Sequence, residues 1–299
     1  MIKNIIFKVL AALFLASGLI LTGYPLISDY LFEMHTKDQV EFVRDRSDQI
    51  EDNSISEWIL TAREYNEKLY ETWADLLDPF GDQYLQNSDA AYQDTLSLDE
   101  SGIMGYIEIP AIDIEYPIFH GTTEDVLLQG IGHVQGSSFP VGGENSHAVL
   151  AGHSGLNQRR LFTDLDNLEP GNVIYIHVFN EELIYEVYQT IVIEAGDTDY
   201  LRIIPGEDMI TLVTCTPYGV NSHRFLVQAK RVKAYGPKQD LYEKERSYAK
   251  PSIYEKRRNQ DLILLVGFVA VMVIVQVCLN YFIMGKSSKV RRTYQRKRS

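Results

Sequence analysis

The sequence predicts a mainly β domain, a closed barrel or a sandwich, held between two membrane-crossing helices and preceded by a helical arm. Three observations predict it. Between residues 104 and 232, seven or eight short β-rich runs follow one another with turn residues between them and few helical patterns. Closing such a set removes exposed strand edges. Two stretches near the ends carry no charge at all. Between the first of these and the strands, apolar residues recur at three- and four-residue spacing, the period of an amphipathic helix.

The first uncharged stretch covers residues 9–28, VLAALFLASGLILTGYPLIS. At about 1.5 Å per residue it can cross a hydrocarbon core of about 30 Å. It is read as an uncleaved anchor rather than a cleaved signal peptide, because Ala16-Ser17-Gly18 only loosely matches a cleavage site. Residues 30–51 and 54–77 are expected to be helices, separated by the DNS at 52–54. In the second, Ile55, Trp58, Ala62, Tyr65, Leu69, Trp73 and Leu76 form the apolar stripe. Pro79 and Gly81 then end the helix in a polar surface loop.

The strands follow as residues 105–110, 112–121, 146–155, 172–179, 183–195, 209–215 and 224–232, with Pro110 and Pro117 as punctuation and a short helical turn at 161–168. Residues 233–260 are polar and charged and read as a linker. The second uncharged stretch, residues 262–284, is followed by a tail with seven Lys/Arg and no acid. The positive-inside rule puts that tail, and the N-terminus with Lys3 and Lys8, in the cytoplasm, which leaves residues 29–261 outside.

Charge narrows the function. All 41 acidic residues lie between Asp29 and Asp261, where only 19 of the 28 basic residues fall, a net −22. Such a surface repels nucleic acid phosphates and is compatible with basic partners such as a lysine-bearing acceptor. No HExxH, no paired His/Asp cluster at ligand spacing and no Gly-rich phosphate loop is found, so neither metal nor cofactor is expected.

The two cysteines carry more. Exported domains usually pair their cysteines, yet Cys278 lies in the second apolar stretch and leaves Cys215 alone outside. Cys215 is either an inert buried thiol or a retained nucleophile. It ends one strand, and Arg224 begins the next after the connection TPYGVNSH. A hairpin would return the guanidinium to the thiol, favouring thiolate and able to hold an oxyanion. A thiol nucleophile also needs a proton partner. His35 lies in the arm and His177 within a strand; His120 and His133 have no special setting. His223 adjoins Arg224 and so faces the other side of its strand. His153 ends the run AVLAGH beside Ser154-Gly155, at a rim open to substrate.

TLVTC at 211–215 resembles the TLxTC signature of the sortases, membrane-bound cysteine transpeptidases of Gram-positive bacteria. TLVTCTPYGVNSHR, AGHSG and the flanking layout resemble the class C, pilus-assembling sortases, over about residues 100–235. The resemblance implies a closed β-barrel of about eight strands. It implies Cys215 as nucleophile, His153 as general acid/base, Arg224 as the group that holds substrate and oxyanion, and Thr214 as a substrate-pocket residue. Asp78-Pro79-Phe80 resembles the Asp-Pro-aromatic lid of class C members, which implies that Asp78 pairs with Arg224 and Phe80 packs over Cys215. The organisation expected is then an anchor at 1–28, arm and lid at 29–100, barrel at 101–235, linker at 236–261, transmembrane helix at 262–284 and basic tail at 285–299.

The implied reaction cleaves an LPxTG-like sorting signal between Thr and Gly and passes the acyl group to a lysine of another pilin, with pilin subunits as partners. A cell-wall-anchoring sortase using a peptidoglycan-precursor amine is the alternative within the family. A non-catalytic, membrane-tethered binding barrel is the alternative outside it.

Overall fold

The computed structural model describes residues 2–50, 52–72, 76–81, 90–98, 101–156, 158–232, 245 and 250–296. The chain divides into two compact units, residues 1–30 with 255–299 and residues 31–254.

The first unit is helical. Helix α1 (Ile2–Gln49) begins in it, and a C-terminal helix, numbered α5 below (Ile253–Arg296), runs through it. Both contain stretches long and apolar enough to cross a membrane, in Val9–Ser47 and Ile253–Val277. Phe14, Leu21, Ile263 and Val266 are all exposed on them, as side chains facing lipid would be. α5 starts within the expected linker, so residues 253–261 are helical. They contain neither Gly nor Pro, and charged residues such as Glu255, Lys256 and Arg257 are good helix formers.

The second unit is built on a closed barrel of β1 (Ile103–Ile109), β2 (Ile114–His120), β3 (Ile131–His133), β4 (Ser146–Ala151), β5 (Val173–Val178), β6 (Glu181–Glu194), β7 (Asp208–Thr216) and β8 (His223–Arg231). Around the barrel the order is β1-β2-β3-β4-β7-β8-β6-β5, with β5 pairing back on β1. The β2–β3 and β4–β7 pairs are parallel and the others antiparallel. Ile107, Ile118, Leu150, Ile176, Leu212 and Val227 are fully buried in its core. Each such side chain contributes about 1.5–3 kcal/mol when taken out of water. Pro117, expected as punctuation, lies inside β2. Pairing with β3 starts only at Ile118, so on that side no ladder is broken by its missing N–H. β3 and the short helix α4 (Glu124–Leu127) fell outside the sequence expectation because neither is long enough to show a period.

The arm consists of the second half of α1 and of α2 (Asp52–Thr72). Of the expected helices, α1 is described to Gln49 and α2 to Thr72, and residues 50, 76 and 77 are not helical; Trp73 lies outside the described residues. Ile55, Ile59 and Ala62 are buried on one face, as the period demands, and the rings of Trp58 and Tyr65 pack at a tilt against Phe179 and Phe139. Asn66 is the polar residue in that face. Its Nδ2 donates to the Phe139 carbonyl at 3.1 Å and its Oδ1 accepts from the Phe139 N–H at 2.7 Å, so its burial leaves no amide group unmatched. After the loop at 76–81, α3 (Ala90–Asp94) contributes Tyr92, whose hydroxyl lies 2.9 Å from Nδ1 of the fully buried His133.

Candidate active site

Three neighbouring strands build the site. β7 and β8 are antiparallel, and their register sets Cys215 directly opposite Arg224. Directly opposed residues share a face of the sheet, so thiol and guanidinium project together. β4 runs parallel to β7 with Ala151 beside Val213. Carried two residues further, the same register brings His153 beside Cys215. The extension is held by hydrogen bonds from the Gly152 N–H to the Val213 carbonyl at 3.1 Å, from the Thr214 hydroxyl to the Gly152 carbonyl at 2.7 Å, and from the Ser154 hydroxyl to the Cys215 carbonyl at 2.6 Å. Gly152 has to be glycine, because a Cβ there would come within 2.7 Å of Phe162 and 2.8 Å of Ile131.

This placement changes the role of Thr214. Adjacent strand residues face opposite sides, so with Cys215 turned to the cleft Thr214 turns away, buried, onto the Gly152 carbonyl. Thr214, expected as a substrate-pocket residue, is placed where its hydroxyl clips β7 to the segment that carries His153.

An open cleft of about 520 Å³ is lined by Pro79, Phe80, Gly81, Thr122, Thr123, Glu124, Leu127, His153, Cys215, Asn221 and Arg224. The loop at 76–81 enters it as a turn. The Gly81 N–H donates to the Asp78 carbonyl at 3.0 Å, with Pro79 at the position that its fixed φ favours. The Phe80 N–H donates to Asp78 Oδ1 at 3.2 Å, which orients the carboxylate. Asp78 then takes Nε of Arg224 at 2.9 Å and Nη2 at 2.7 Å, a two-pronged pair with both side chains about nine-tenths buried. Arg224 Nη1 donates to the carbonyls of Asn221 and His223, each at 3.1 Å. Every nitrogen of the guanidinium is therefore engaged. The ring of Phe80 lies 5.9 Å from that of His153, with the Arg224 guanidinium 5.3 Å from its centroid. Phe80 thus packs beside the two side chains that flank Cys215 and lines the same cleft as the thiol.

The electrostatics follow from these contacts. Burial pushes the Cys215 thiol up; Arg224 opposes that and Asp78 reinforces it, with a net rise. Burial works to lower the pKa of Arg224, yet its hydrogen bonds to Asp78 and the charges of Cys215 and Asp78 carry it upward. With the loop closed, the carboxylate cancels the cation that would otherwise favour thiolate.

The structure therefore brings together Cys215, His153, Arg224, Asp78, Pro79 and Phe80. It adds Glu124, whose Oε2 lies 3.2 Å from His153 Nε2. Sequence reasoning missed Glu124. Its only local signal is Thr123, which caps α4 by accepting from the Val126 N–H, and that marks a helix start rather than a site. Tyr218 was also missed; its hydroxyl donates to the Gly155 carbonyl at 2.9 Å and ties the β7–β8 loop to the segment after His153. Among the described residues, no group of three His, Cys, Asp or Glu could hold a metal ion.

Residues 107–232 match the family described as Sortase domain. The chain is 32% identical over 131 residues to Sortase D of Bacillus subtilis, covering 43% of this chain and 63% of that protein. It is 30% identical over 142 residues to Sortase A of Staphylococcus aureus, covering 45% and 68%. The chain thus spans a little under two thirds of the Bacillus relatives it matches, at 63% and 66% of their lengths. Sortase C-1 of Streptococcus pneumoniae is similar in structure, with 37% identity, a TM-score of 0.62, and coverage of 66% of this chain and 100% of that one. Sortase C-1 of Actinomyces oris is similar at 41% identity and a TM-score of 0.57, covering 60% and 99%. A further Streptococcus pneumoniae sortase C, at 38% identity and a TM-score of 0.60 over 67% and 99%, is described for its catalysis and pilin substrate specificity.

Proposed function

The chain belongs to the sortase family of cysteine transpeptidases, and on that premise we propose that it is a class C, pilus-assembling member. Cys215 attacks the carbonyl between Thr and Gly of an LPxTG-like sorting signal and forms a thioacyl-enzyme. His153 protonates the leaving amine and later takes a proton from the amine that resolves the thioester. Arg224, once released by Asp78, holds the developing oxyanion. The resolving amine is a lysine of another pilin, and the product is an isopeptide bond. The catalytic unit works outside the membrane between two anchors, with both termini cytoplasmic. Confinement at the surface that also holds the substrates raises their effective concentration.

The observation that carries the class C reading is the Asp78–Arg224 pair with Phe80 beside it. The loop takes Nε and Nη2 through Asp78, and the Asn221 and His223 carbonyls take Nη1, so every guanidinium nitrogen that the oxyanion would need is already engaged. A cell-wall-anchoring enzyme has no evident use for such a self-made plug, whereas an enzyme that joins abundant subunits benefits from staying shut until one docks.

The test mixes the full chain in detergent micelles, with and without Asp78→Ala/Phe80→Ala, with an LPxTG-type peptide and a lysine-bearing acceptor peptide, and reads intact masses. A thioacyl adduct on Cys215 that transfers to the lysine, and is missing in Cys215→Ala, is expected, more abundant with the loop disabled. An adduct that transfers only to a peptidoglycan-type amine would move the chain to the anchoring class. No adduct across a library of sorting peptides would leave a binding barrel.

A further inference from the structure

Glu124 has no role in the mechanism above, yet it stands in line with it. α4 lies against β3, β3 pairs with β4, β4 with β7, and β7 with β8. Glu124 comes from α4, His153 from the segment just after β4, Cys215 from β7 and Arg224 from β8, so the cleft presents a row with a carboxylate at one end and a guanidinium at the other. Glu124 Oε2 is 3.2 Å from His153 Nε2, and the Glu124 side chain is 69% exposed against 18% for His153. Among the described residues that line the cleft it is the one carboxylate.

The two halves of a transpeptidation place different demands on such a row. The first half builds negative charge on a carbonyl oxygen, which suits the Arg224 end. The second half brings in an amine. A lysine side chain ordinarily keeps its proton up to about pH 10.4, so the acceptor arrives as an ammonium and is attracted to the opposite end. Water, the competing nucleophile, is neutral and lacks the charge attraction to a carboxylate that an ammonium has.

We propose that Glu124 is the acceptor-amine residue: its carboxylate receives the incoming lysine ammonium beside His153 and holds it for attack on the thioester at Cys215. This rests on the transpeptidase reading and names the residue that selects its second substrate. Neutral His153 takes one proton from the bound ammonium. The freed lone pair forms the C–N bond at the thioester carbonyl, the C–S bond breaks, and the second N–H proton ends on the departing Cys215 sulfur. His153 then returns its proton to water past the exposed carboxylate. One ammonium and one thioester give one amide, one thiol and one proton.

The experiment uses the full chain in detergent micelles, carrying Asp78→Ala so that the cleft is open, with and without Glu124→Gln. An LPxTG-type peptide is supplied with either a lysine-bearing peptide or hydroxylamine, a nucleophile largely uncharged at neutral pH. The ratio of transferred to hydrolysed product is measured, because it reads the second half-reaction whatever acylation rate a variant keeps. Glu124→Gln should lower the ratio about tenfold for the lysine peptide, the loss of about 1.4 kcal/mol of selective binding. The hydroxylamine ratio should stay as it was. Equal falls with both nucleophiles would make Glu124 a support for His153 only, and unchanged ratios would remove it altogether; either outcome overturns the proposal. If no thioester forms in the parent, the transpeptidase reading itself fails and takes this one with it, a result distinct from an enzyme that acylates but does not discriminate.

Discussion

The β4–β7–β8 wall and the loop at 76–81 meet at the same cleft but are held in different ways. The wall is fixed chiefly by backbone: a parallel ladder and an antiparallel ladder, the first of them extended by the Thr214 and Ser154 hydroxyls on backbone carbonyls. The loop is fixed by side chains: one carboxylate on one guanidinium, and one ring beside His153 and Arg224. Breaking a ladder costs the fold, whereas breaking a single ion pair costs only the closed state. Cys215, Arg224 and the segment that carries His153 sit on the first kind of support, and the loop, which the proposed mechanism requires to leave, sits on the second.

Arg224 belongs to both regions, so changing it gives the largest effect. Arg224→Lys should lower turnover about 100-fold, the scale of a lost oxyanion donor, because one ammonium cannot reproduce the planar fork. Peptide turnover checks it; near-normal rates would take Arg224 out of the chemistry and leave it only as the loop's anchor. Asp78→Ala addresses the loop alone. It removes a charge that raises the Cys215 pKa and frees the Arg224 charge that lowers it, so the pH profile of thiol alkylation should move to lower pH. A shift of one unit is about a tenfold faster reaction below the pKa. Melting should change little if the loop simply swings away, and a large drop in Tm would show that it supports the wall after all.

Acid should act on the other side of the comparison. Burial holds His133 on β3 at about 3 and His147 on β4 at about 4. An unfolded histidine titrates near 6.5, so the unfolded chain binds more protons throughout the window between. Stability is then complete above about pH 6.5 and falls as the pH drops toward 4, by about 1.4 kcal/mol per unit for each histidine. Urea midpoints from pH 7 to 4.5 test this, and His147→Gln should flatten the slope. A flat wild-type profile would contradict neutral burial. The smallest effect is expected from Thr214→Val, about 1 kcal/mol for the bare Gly152 carbonyl. A change in KM larger than the change in stability would return Thr214 to the substrate pocket.

The sequence by itself determined whatever depends on neighbours along the chain. The helical period of α2, the alternation in the strands and the two uncharged stretches were all legible. So was the pairing of Cys215 with Arg224, since a hairpin fixes its own register over a short connection. The inward turn of Thr214 follows from strand alternation alone. Only the tertiary structure decided what depends on parallel or remote contacts. His153 could be picked as a strand end, but the β4–β7 register that sets it beside Cys215 joins segments about 60 residues apart and leaves no periodic trace. Asp78 reaches Arg224 across 146 residues. Glu124 comes from a four-residue helix whose place beside β3 is set by packing. Local propensity and pattern act between residues a few positions apart, whereas a site is assembled by closure of the barrel, which brings distant strands together and gives each side chain the neighbours that set its charge.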